Sequence, residues 1–478
     1  MQLTKRAALA LALAAALPLA ACGGDDDDPP RQPEETRAQD SRTFTVNEAA
    51  LAFAALPDAP ETDRWTGTLK GSGYRIEVPK QWNGKLVMYA HGYAGTGAAL
   101  GVTTPSIRRH LIEAGYAWAA SSYSKNYYDV RAGVEDTNAL ALAFVQIAAQ
   151  NRRPLAPPSR IYIVGHSMGG HIAAAAVDQE TLDTANNKVR YHGAVPMCGV
   201  LGDTELFDYF AAYQLAAQQY AGRPATAWPV NNWAEIAPAV RDALFTTFPS
   251  ATTAQGDKVK AIVQNLTGGA RPMFDQGFAG PVQNTVWGTF GGDGTINGIL
   301  NRNGVSTANI VYQLDGDPAL SAEETTLNET ILRARADPEA NRLRRDGLRW
   351  IPKTNARINV PVVTLHTLGD MYVPFSMQQI YKRRADAQGT AQWLVQRAIR
   401  GVSHCDFTVA EQKAAFEAMV QWEQGGPRPE GDNVLDAATV ARPDYGCRFT
   451  DNTVSADDSP AIAQGRPQIA AALPCPAS

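Results

Sequence analysis

The stretch Arg160-Ile161-Tyr162-Ile163-Val164-Gly165-His166-Ser167-Met168-Gly169-Gly170 decides the fold that this sequence predicts. It begins as an apolar, β-branched strand, passes through the pattern G-x-S-x-G and leads into an alanine-rich helix. A serine at such a sharp strand-to-helix turn exposes its hydroxyl, and the flanking glycines avoid clashes that side chains would make there. We therefore predict that Ser167 is a nucleophile at the end of a sheet strand.

The segments on both sides of this turn alternate between strand-like and helix-like patterns. Strands are predicted over residues 74–79, 85–90, 116–122, 192–197, 360–366 and 393–399, and helices over 107–114, 134–150 and 408–422. Such alternation predicts a doubly wound, mostly parallel sheet with helices on both faces, so the predicted fold class is α/β.

The alternation stops over residues 199–352, which form a large insertion between the sixth and seventh strands. A segment this long needs structure of its own, and we predict helices over 233–245 and 322–350. Because loops at the carboxyl ends of strands surround the site in open α/β sheets, we interpret the insertion as a cap over Ser167. The alternative is a structural extension packed away from the site.

The N-terminus has the pattern of a targeting signal. Two basic residues precede an apolar stretch over 7–19 that is too short to cross a bilayer as a mature helix. The following Leu19-Ala20-Ala21-Cys22 resembles the lipobox of bacterial lipoproteins, in which the cysteine is lipidated and anchors the mature protein. Because Gly23 rather than aspartate follows, the resemblance favours the outer membrane. An ordinary secretory signal with a chance cysteine is the alternative.

These patterns divide the chain into six parts. They are a signal peptide with lipobox (1–22), a disordered acidic tether (23–45), the first part of the core (46–198), the cap (199–352), the second part of the core (353–425) and an irregular tail (426–478).

Composition excludes some classes of partner. The net charge of -5 and the isoelectric point near 5.9 argue against nucleic-acid binding. The tightest basic group, over 342–349, is predicted to lie on a solvated helix face. Since the sequence contains no C-x-x-C and the histidines show no ligand spacing, we predict no metal site, and the chemistry below requires no cofactor.

A serine nucleophile needs a base, and the base needs an orienting acid. His404 stands in a predicted loop between the last strand and the last helix, where a base can reach over the carboxyl edge of the sheet. Asp370 follows a buried strand on its exit loop. The chain order Ser167, Asp370, His404 is that expected for an α/β-hydrolase. Backbone amides of Met168 and Tyr93 are the predicted donors to the oxyanion.

The sequence resembles the α/β-hydrolases through His91-Gly92, Gly165 to Gly169, Gly369-Asp370 and His404. Within that superfamily, residues 82–93 are similar to exported bacterial esterases and amidases. His404-Cys405 resembles tannase and feruloyl-esterase-type enzymes, in which a cysteine beside the catalytic histidine is disulfide-bonded near the nucleophile. This chain departs from their pattern, because His166 precedes the serine where those enzymes have cysteine.

That departure leaves Cys198 or a tail cysteine as the partner of Cys405. The four cysteines after Cys22 allow three pairings, and export to an oxidising compartment favours disulfide formation. Cys198 and Cys405 both follow predicted strands at the carboxyl edge, while Cys447 and Cys475 share the tail, so we predict the bonds Cys198–Cys405 and Cys447–Cys475.

The resemblance implies a carboxylic ester hydrolase that acts on a small or polymeric ester through an acyl-enzyme. A serine peptidase or amidase would use the same three residues, and a non-catalytic surface binding protein on this scaffold is a further alternative. The expected location is the bacterial cell envelope, with the lipid anchor as the contact to the membrane. The sequence predicts nothing about the oligomeric state.

Overall fold

The computed structural model describes residues 35–475, so the predicted signal peptide and Cys22 lie outside the described residues. Eight strands form the main sheet: β1 (Thr62–Leu69), β2 (Ser72–Pro79), β3 (Lys85–Ala90), β4 (Ala117–Ser121), β5 (Arg160–His166), β6 (Gly193–Met197), β7 (Val362–Thr367) and β8 (Leu394–Ile399). Their spatial order is β1-β2-β4-β3-β5-β6-β7-β8. Strand β2 is antiparallel to both neighbours and the other pairs are parallel. This order and direction are those of an α/β-hydrolase, so the predicted fold class is confirmed.

Helices cover both faces of this sheet. The helices of the described residues are α1 (Arg108–Glu113), α2 (Val130–Gln150), α3 (Met168–Ala176), α4 (Gln179–Thr184), α5 (Glu205–Tyr220), α6 (Trp233–Leu244), α7 (Ala254–Leu266), α8 (Phe274–Phe278), α9 (Val282–Gly288), α10 (Ala322–Thr330), α11 (Ser376–Gln388), α12 (Val409–Glu423), α13 (Ala437–Val440) and α14 (Pro460–Ala472). Helices α2, α3 and α11 pack on one face, and α1 and α12 pack on the other. The central strands therefore carry apolar side chains toward both faces, as in β3, where Leu86, Val87 and Met88 are all fully buried.

The insertion over 199–352 contains α5 to α10 and has an aromatic core of its own. Trp233 and Trp287 lie 5.6 Å apart between ring centroids, and Phe290 packs on both rings. The helix predicted over 233–245 is confirmed as α6. These contacts give the insertion an apolar interior, which an ordinary surface loop lacks.

The helix predicted over 322–350 is wrong beyond Thr330, where α10 ends. The Arg333 guanidinium donates to three backbone carbonyls and holds the chain in an irregular path. Pro338 further on disfavours helical backbone in the residue before it. The basic group over 342–349 is therefore not a helix face, and Arg344 instead stacks on Trp350 at 3.6 Å from the ring centroid.

The expected disordered tether is wrong for residues 35–45, which pack against the core. Arg37 forms an ion pair of 3.0 Å with Asp129 and stacks on the ring of Trp350 at 3.7 Å from its centroid. The short strand Thr45–Val46 pairs with Ala99–Leu100. The acidic composition of the predicted tether indicates disorder. The contacts that order residues 35–45 could not be predicted from it, because they are made with residues far away in the sequence.

The expected irregular tail is wrong for residues 460–472, which form α14. The Ser459 hydroxyl accepts the N–H of Ile462, and Pro460 occupies the first turn, where its missing N–H is tolerated. Arg466 of this helix is fully buried and pairs with Glu411 of α12. The tail is thereby fixed to the core. Within residues 35–475 no helix has both the length and the apolar character that a membrane crossing requires.

Candidate active site

Ser167 occupies a strained turn between β5 and α3. Its backbone angles, φ 58° and ψ -122°, are unfavourable for a residue with a Cβ. A Cβ added to Gly165 would lie 2.1 Å from the carbonyl oxygen of Gly169, and one added to Gly169 would lie 2.0 Å from that of Ala90. The G-x-S-x-G pattern is therefore a requirement of close backbone packing, and the packing presents the serine hydroxyl at the carboxyl edge of the sheet.

The structure brings Ser167, His404 and Asp370 together. Nε2 of His404 lies 2.8 Å from Ser167 Oγ, and Nδ1 lies 2.6 Å from Asp370 Oδ2. Asp370 is fully buried, and its other oxygen accepts the N–H groups of Tyr372 at 2.9 Å and Val373 at 3.0 Å. With an ionised carboxylate at Nδ1, the tautomer that satisfies both contacts has its proton on Nδ1 and its unprotonated Nε2 toward the serine.

Asp406, which is close to His404 along the chain, has a different role. Its carboxylate accepts the N–H of Val402 at 3.0 Å. The Thr367 hydroxyl also donates to the carbonyl of Ser403 at 2.9 Å. These bonds fix the loop that carries the imidazole, while Asp370 orients the imidazole itself.

Both predicted disulfides are present. Cys198 is bonded to Cys405, and Cys447 is bonded to Cys475. Cys405 Sγ lies 3.4 Å from Nε2 of His404, so the first disulfide is in contact with the imidazole. The sulfurs of Cys198 and Cys405 together with His404 lie within metal-ligand distances, but each sulfur is bonded to the other and is not a thiolate.

The predicted oxyanion donors lie beside the serine. A Cβ on Gly92 would be 3.2 Å from Ser167 Cβ, so the loop that carries Tyr93 approaches Ser167 closely. Within residues 35–475 neither the N–H of Tyr93 nor that of Met168 has an acceptor in the protein. Both donors are thus available, and their action on an oxyanion stays a prediction.

The other histidines near the sheet are held by structural contacts. Burial lowers the pKa of His166, His171 and His366 to about 4, so these rings are neutral. Their Nε2 atoms bond, in that order, to the Gln412 side chain, the Pro352 carbonyl and the Val373 carbonyl. His91 is stacked on Tyr123 with ring centroids 4.1 Å apart. His404 is the histidine that the fold places against the serine.

A cavity of about 690 Å³ opens beside Ser167. Its wall combines residues of the core with residues of the insertion, among them Tyr93, Tyr128, Val200, Leu206, Phe207, Phe210, Ala211, Gln214, Trp228, Phe290, Asp293, Val305, Tyr372 and Val373. The insertion therefore forms part of the space around Ser167. Trp233 and Trp287 of the insertion do not line this space, because both rings pack inside the insertion.

Sequence reasoning did not identify α5 as part of the site. Its first residues follow β6, and the pattern of its apolar residues is typical of a helix that packs on a hydrophobic core. The signal that could have located it is position, because the segment leaves the carboxyl edge of the sheet next to the strand that precedes Ser167.

Comparison with known proteins gives a limited relationship. No family model matches the chain. The o-phthalyl amidase of Xanthobacter agilis is 32% identical over 92 residues, which make up 19% of this chain and 20% of that enzyme. The chain therefore matches about a fifth of the length of that relative.

Solved structures with a similar fold have low sequence identity. Feruloyl esterase B from Aspergillus oryzae is 14% identical with a TM-score of 0.42, and the match covers 80% of this chain and 86% of that one. For the acylaminoacyl peptidase of Pyrococcus horikoshii the identity is 11%, the TM-score 0.35, and the coverage 73% and 38%. An esterase from Pseudomonas putida is 11% identical with a TM-score of 0.33 and coverage of 75% and 77%. With scores this low, the fold assignment rests on the sheet topology.

Proposed function

We propose that this protein is a serine hydrolase that cleaves carboxylic esters through an acyl-enzyme. The observation that carries the proposal is that one imidazole, His404, contacts both the partly exposed Ser167 and a buried carboxylate, Asp370. This is the arrangement that makes a serine nucleophilic at neutral pH.

The proposed reaction has two steps. Ser167 Oγ attacks the acyl carbon while Nε2 of His404 takes its proton, and the imidazolium then gives that proton to the leaving alcohol. Water next attacks the acyl-enzyme with His404 again as base, which releases the acid and restores the serine. Asp370 keeps Nδ1 protonated and stabilises the imidazolium, and the amides of Tyr93 and Met168 bind the oxyanion.

Hydrolysis of short p-nitrophenyl esters by wild type and Ser167→Ala tests this proposal. Loss of the nucleophile is expected to lower turnover by about 10⁴- to 10⁶-fold. Ser403→Ala is the matched control, because this exposed hydroxyl is next to His404 in the chain, and the change is expected to leave turnover unaltered. Labelling of Ser167 by a fluorophosphonate separates an enzyme from a non-catalytic binding protein, which would stay unlabelled.

Amide hydrolysis is the second candidate, and the similarity to o-phthalyl amidase over 92 residues favours it. An ester and an anilide with the same acyl group distinguish the two activities. We expect a higher kcat/KM for the ester, and a higher value for the anilide, including aminoacyl anilides, would assign the protein as an amidase or peptidase.

We further propose that the protein is exported and anchored to the bacterial outer membrane through a lipid on Cys22. The support is the lipobox-like sequence ending at that residue. Cys22→Ser is expected to move the protein from the membrane fraction to an uncleaved or soluble form. An unmodified cysteine in the intact mass of the mature wild-type protein would contradict this anchor.

A further inference from the structure

The wall of the cavity beside Ser167 contains an amide with an unused hydrogen-bond donor. Gln214 of α5 is fully buried and is one of the residues that line the cavity. Its Oε1 accepts the N–H of Gly291 at 2.7 Å. Because a backbone N–H requires an acceptor, this bond fixes the orientation of the amide and leaves Nε2 as a donor. Among residues 35–475 no acceptor lies within hydrogen-bond distance of Nε2.

A buried donor without a partner is uncommon in folded proteins. When it lies in the wall of a cavity that also contains a nucleophile, a ligand acceptor is the partner that explains it. The polarity of Gln214 is also out of place on this helix face, since Phe207 and Phe210 precede it with apolar side chains. The amide therefore indicates recognition of a substrate group.

Aromatic side chains connect the triad with the turn of α5 that precedes Gln214. The Phe210 ring packs on Tyr372 at 5.8 Å between centroids, and the Tyr372 ring packs on His404 at 5.4 Å. With a rise of about 1.5 Å per residue, Gln214 lies about 6 Å further along the helix than Phe210. The part of the cavity between the triad and the amide thus has aromatic walls.

The charge of the wall selects the chemistry of the acceptor. Asp293 is the charged side chain of the described cavity lining, which contains neither lysine nor arginine. An anionic substrate group would be repelled by this carboxylate, and no cation of the lining would compensate the cost of removing it from water. An ether or carbonyl oxygen is uncharged and can still accept a hydrogen bond from the amide.

We infer that Gln214 is a specificity-determining residue that donates from Nε2 to an uncharged acceptor of the substrate, separated from the scissile ester by an aromatic body. The inference rests on the proposed ester hydrolysis and deepens it. The preferred substrate is therefore a neutral aryl ester with an ether or carbonyl oxygen at the far end of the ring.

Pairs of isosteric esters test the inference on the wild-type protein. In the acyl arm, methyl 3-(4-methoxyphenyl)propanoate is compared with its 4-ethyl analogue. In the alcohol arm, 4-methoxybenzyl acetate is compared with 4-ethylbenzyl acetate. We expect the methoxy ester to have about a tenfold higher kcat/KM in one of the arms, and that arm identifies which side of the ester enters the cavity.

Two variants assign the preference to one amide. Gln214→Met removes the donor, and with it the acceptor of the Gly291 N–H, at similar side-chain volume. It is expected to reduce the methoxy-to-ethyl ratio of kcat/KM to about one. Gln218→Met is the matched control, since Gln218 is on the same helix, is 1% exposed and is not among the residues that line the cavity. This control is expected to keep the wild-type ratio.

The outcomes separate this inference from the proposed function. If the esters are hydrolysed and the wild-type ratio is about one in both arms, the role of Gln214 is wrong and ester hydrolysis stands. The same conclusion follows if both methionine variants change the ratio equally. If no ester is hydrolysed and Ser167 is not labelled by a fluorophosphonate, the proposed ester hydrolysis is wrong, and the role of Gln214 that rests on it is wrong as well. Should Gln214→Met not fold, the wild-type ratios alone decide.

Discussion

The disulfide between Cys198 and Cys405 ties the loop that carries His404 to the strand next to that of Ser167. Cys405 directly follows His404, and Cys198 directly follows Met197, whose carbonyl accepts the N–H of Ser167 at 3.0 Å. A short path of covalent and hydrogen bonds therefore connects the imidazole with the serine. The bond limits how far the loop can carry His404 from Ser167.

Replacing Cys198 and Cys405 by serine should impair both stability and catalysis. The bond closes a sequence separation of 207 residues. Loop-closure entropy predicts a loss of about 5 kcal/mol in the free energy of unfolding, as an upper value. We expect kcat to fall at least about tenfold, because a displaced base no longer meets the serine. Denaturant unfolding and ester hydrolysis below the unfolding transition measure the two effects.

The tail disulfide provides the control for that experiment. The bond between Cys447 and Cys475 spans 28 residues, and replacing both by serine should cost about 3.5 kcal/mol with kcat within about twofold of wild type. Equal losses of kcat in the two double variants would show that the first disulfide acts through global stability only.

Asp370→Asn is expected to lower kcat about 10⁴-fold without unfolding the protein. The amide can donate to Nδ1 of His404, which stabilises the tautomer that cannot accept the serine proton. Asp406→Asn is the control, since its carboxylate accepts from the Val402 N–H and an amide oxygen can do the same. A kcat for Asp370→Asn within tenfold of that for Asp406→Asn would remove Asp370 from the proposed triad.

Gly92→Ala should reduce activity by displacing the loop of the predicted oxyanion donor. The added Cβ would lie 3.2 Å from Ser167 Cβ and 3.4 Å from the carbonyl oxygen of His166, so the backbone must shift by a few tenths of an ångström. A shift at this position should lower kcat by about 10- to 100-fold with KM little changed. Gly97→Ala, in the same loop with open space around its Cβ, should behave as wild type.

Asp203→Asn should destabilise the protein at neutral pH but not in acid. Burial alone would raise the pKa of the Asp203 carboxyl, but Lys353 and Arg384 outweigh burial and hold its pKa well below the usual range. Their nitrogens lie 2.8 Å and 2.6 Å from its oxygens, and both cations are partly exposed. We expect a loss of about 2–4 kcal/mol in the free energy of unfolding at pH 7.

The sign of the pH dependence follows from the lowered pKa. The stabilisation by Asp203 is complete above the unfolded-state pKa of about 3.9 and is lost as the pH falls through the folded-state value. The difference between wild type and Asp203→Asn should therefore shrink below about pH 4. Asp444→Asn, in an exposed pair with Arg442, should show no measurable difference at any pH. A constant difference from pH 3 to pH 7 would contradict the ion-pair explanation.

The sequence by itself determined the features that short-range chemistry dictates. The glycines around Ser167 and the apolar runs of the central strands are required by close backbone packing and by burial on both faces, so they are visible as local patterns. The chain order of Ser167, Asp370 and His404 follows from the fold class, since each residue comes after a strand whose position in the sheet is set.

Only the tertiary structure decided the features that depend on distant partners. Residues 35–45 are ordered because Arg37 meets Asp129 and Trp350, and α14 forms in the tail because its Arg466 pairs with Glu411 of α12. Nε2 of Gln214 is the unused donor because the N–H of Gly291 donates to the Oε1 atom of the same amide. Such contacts join residues tens to hundreds of positions apart, and their energy is available only after the chain has closed the loops between them.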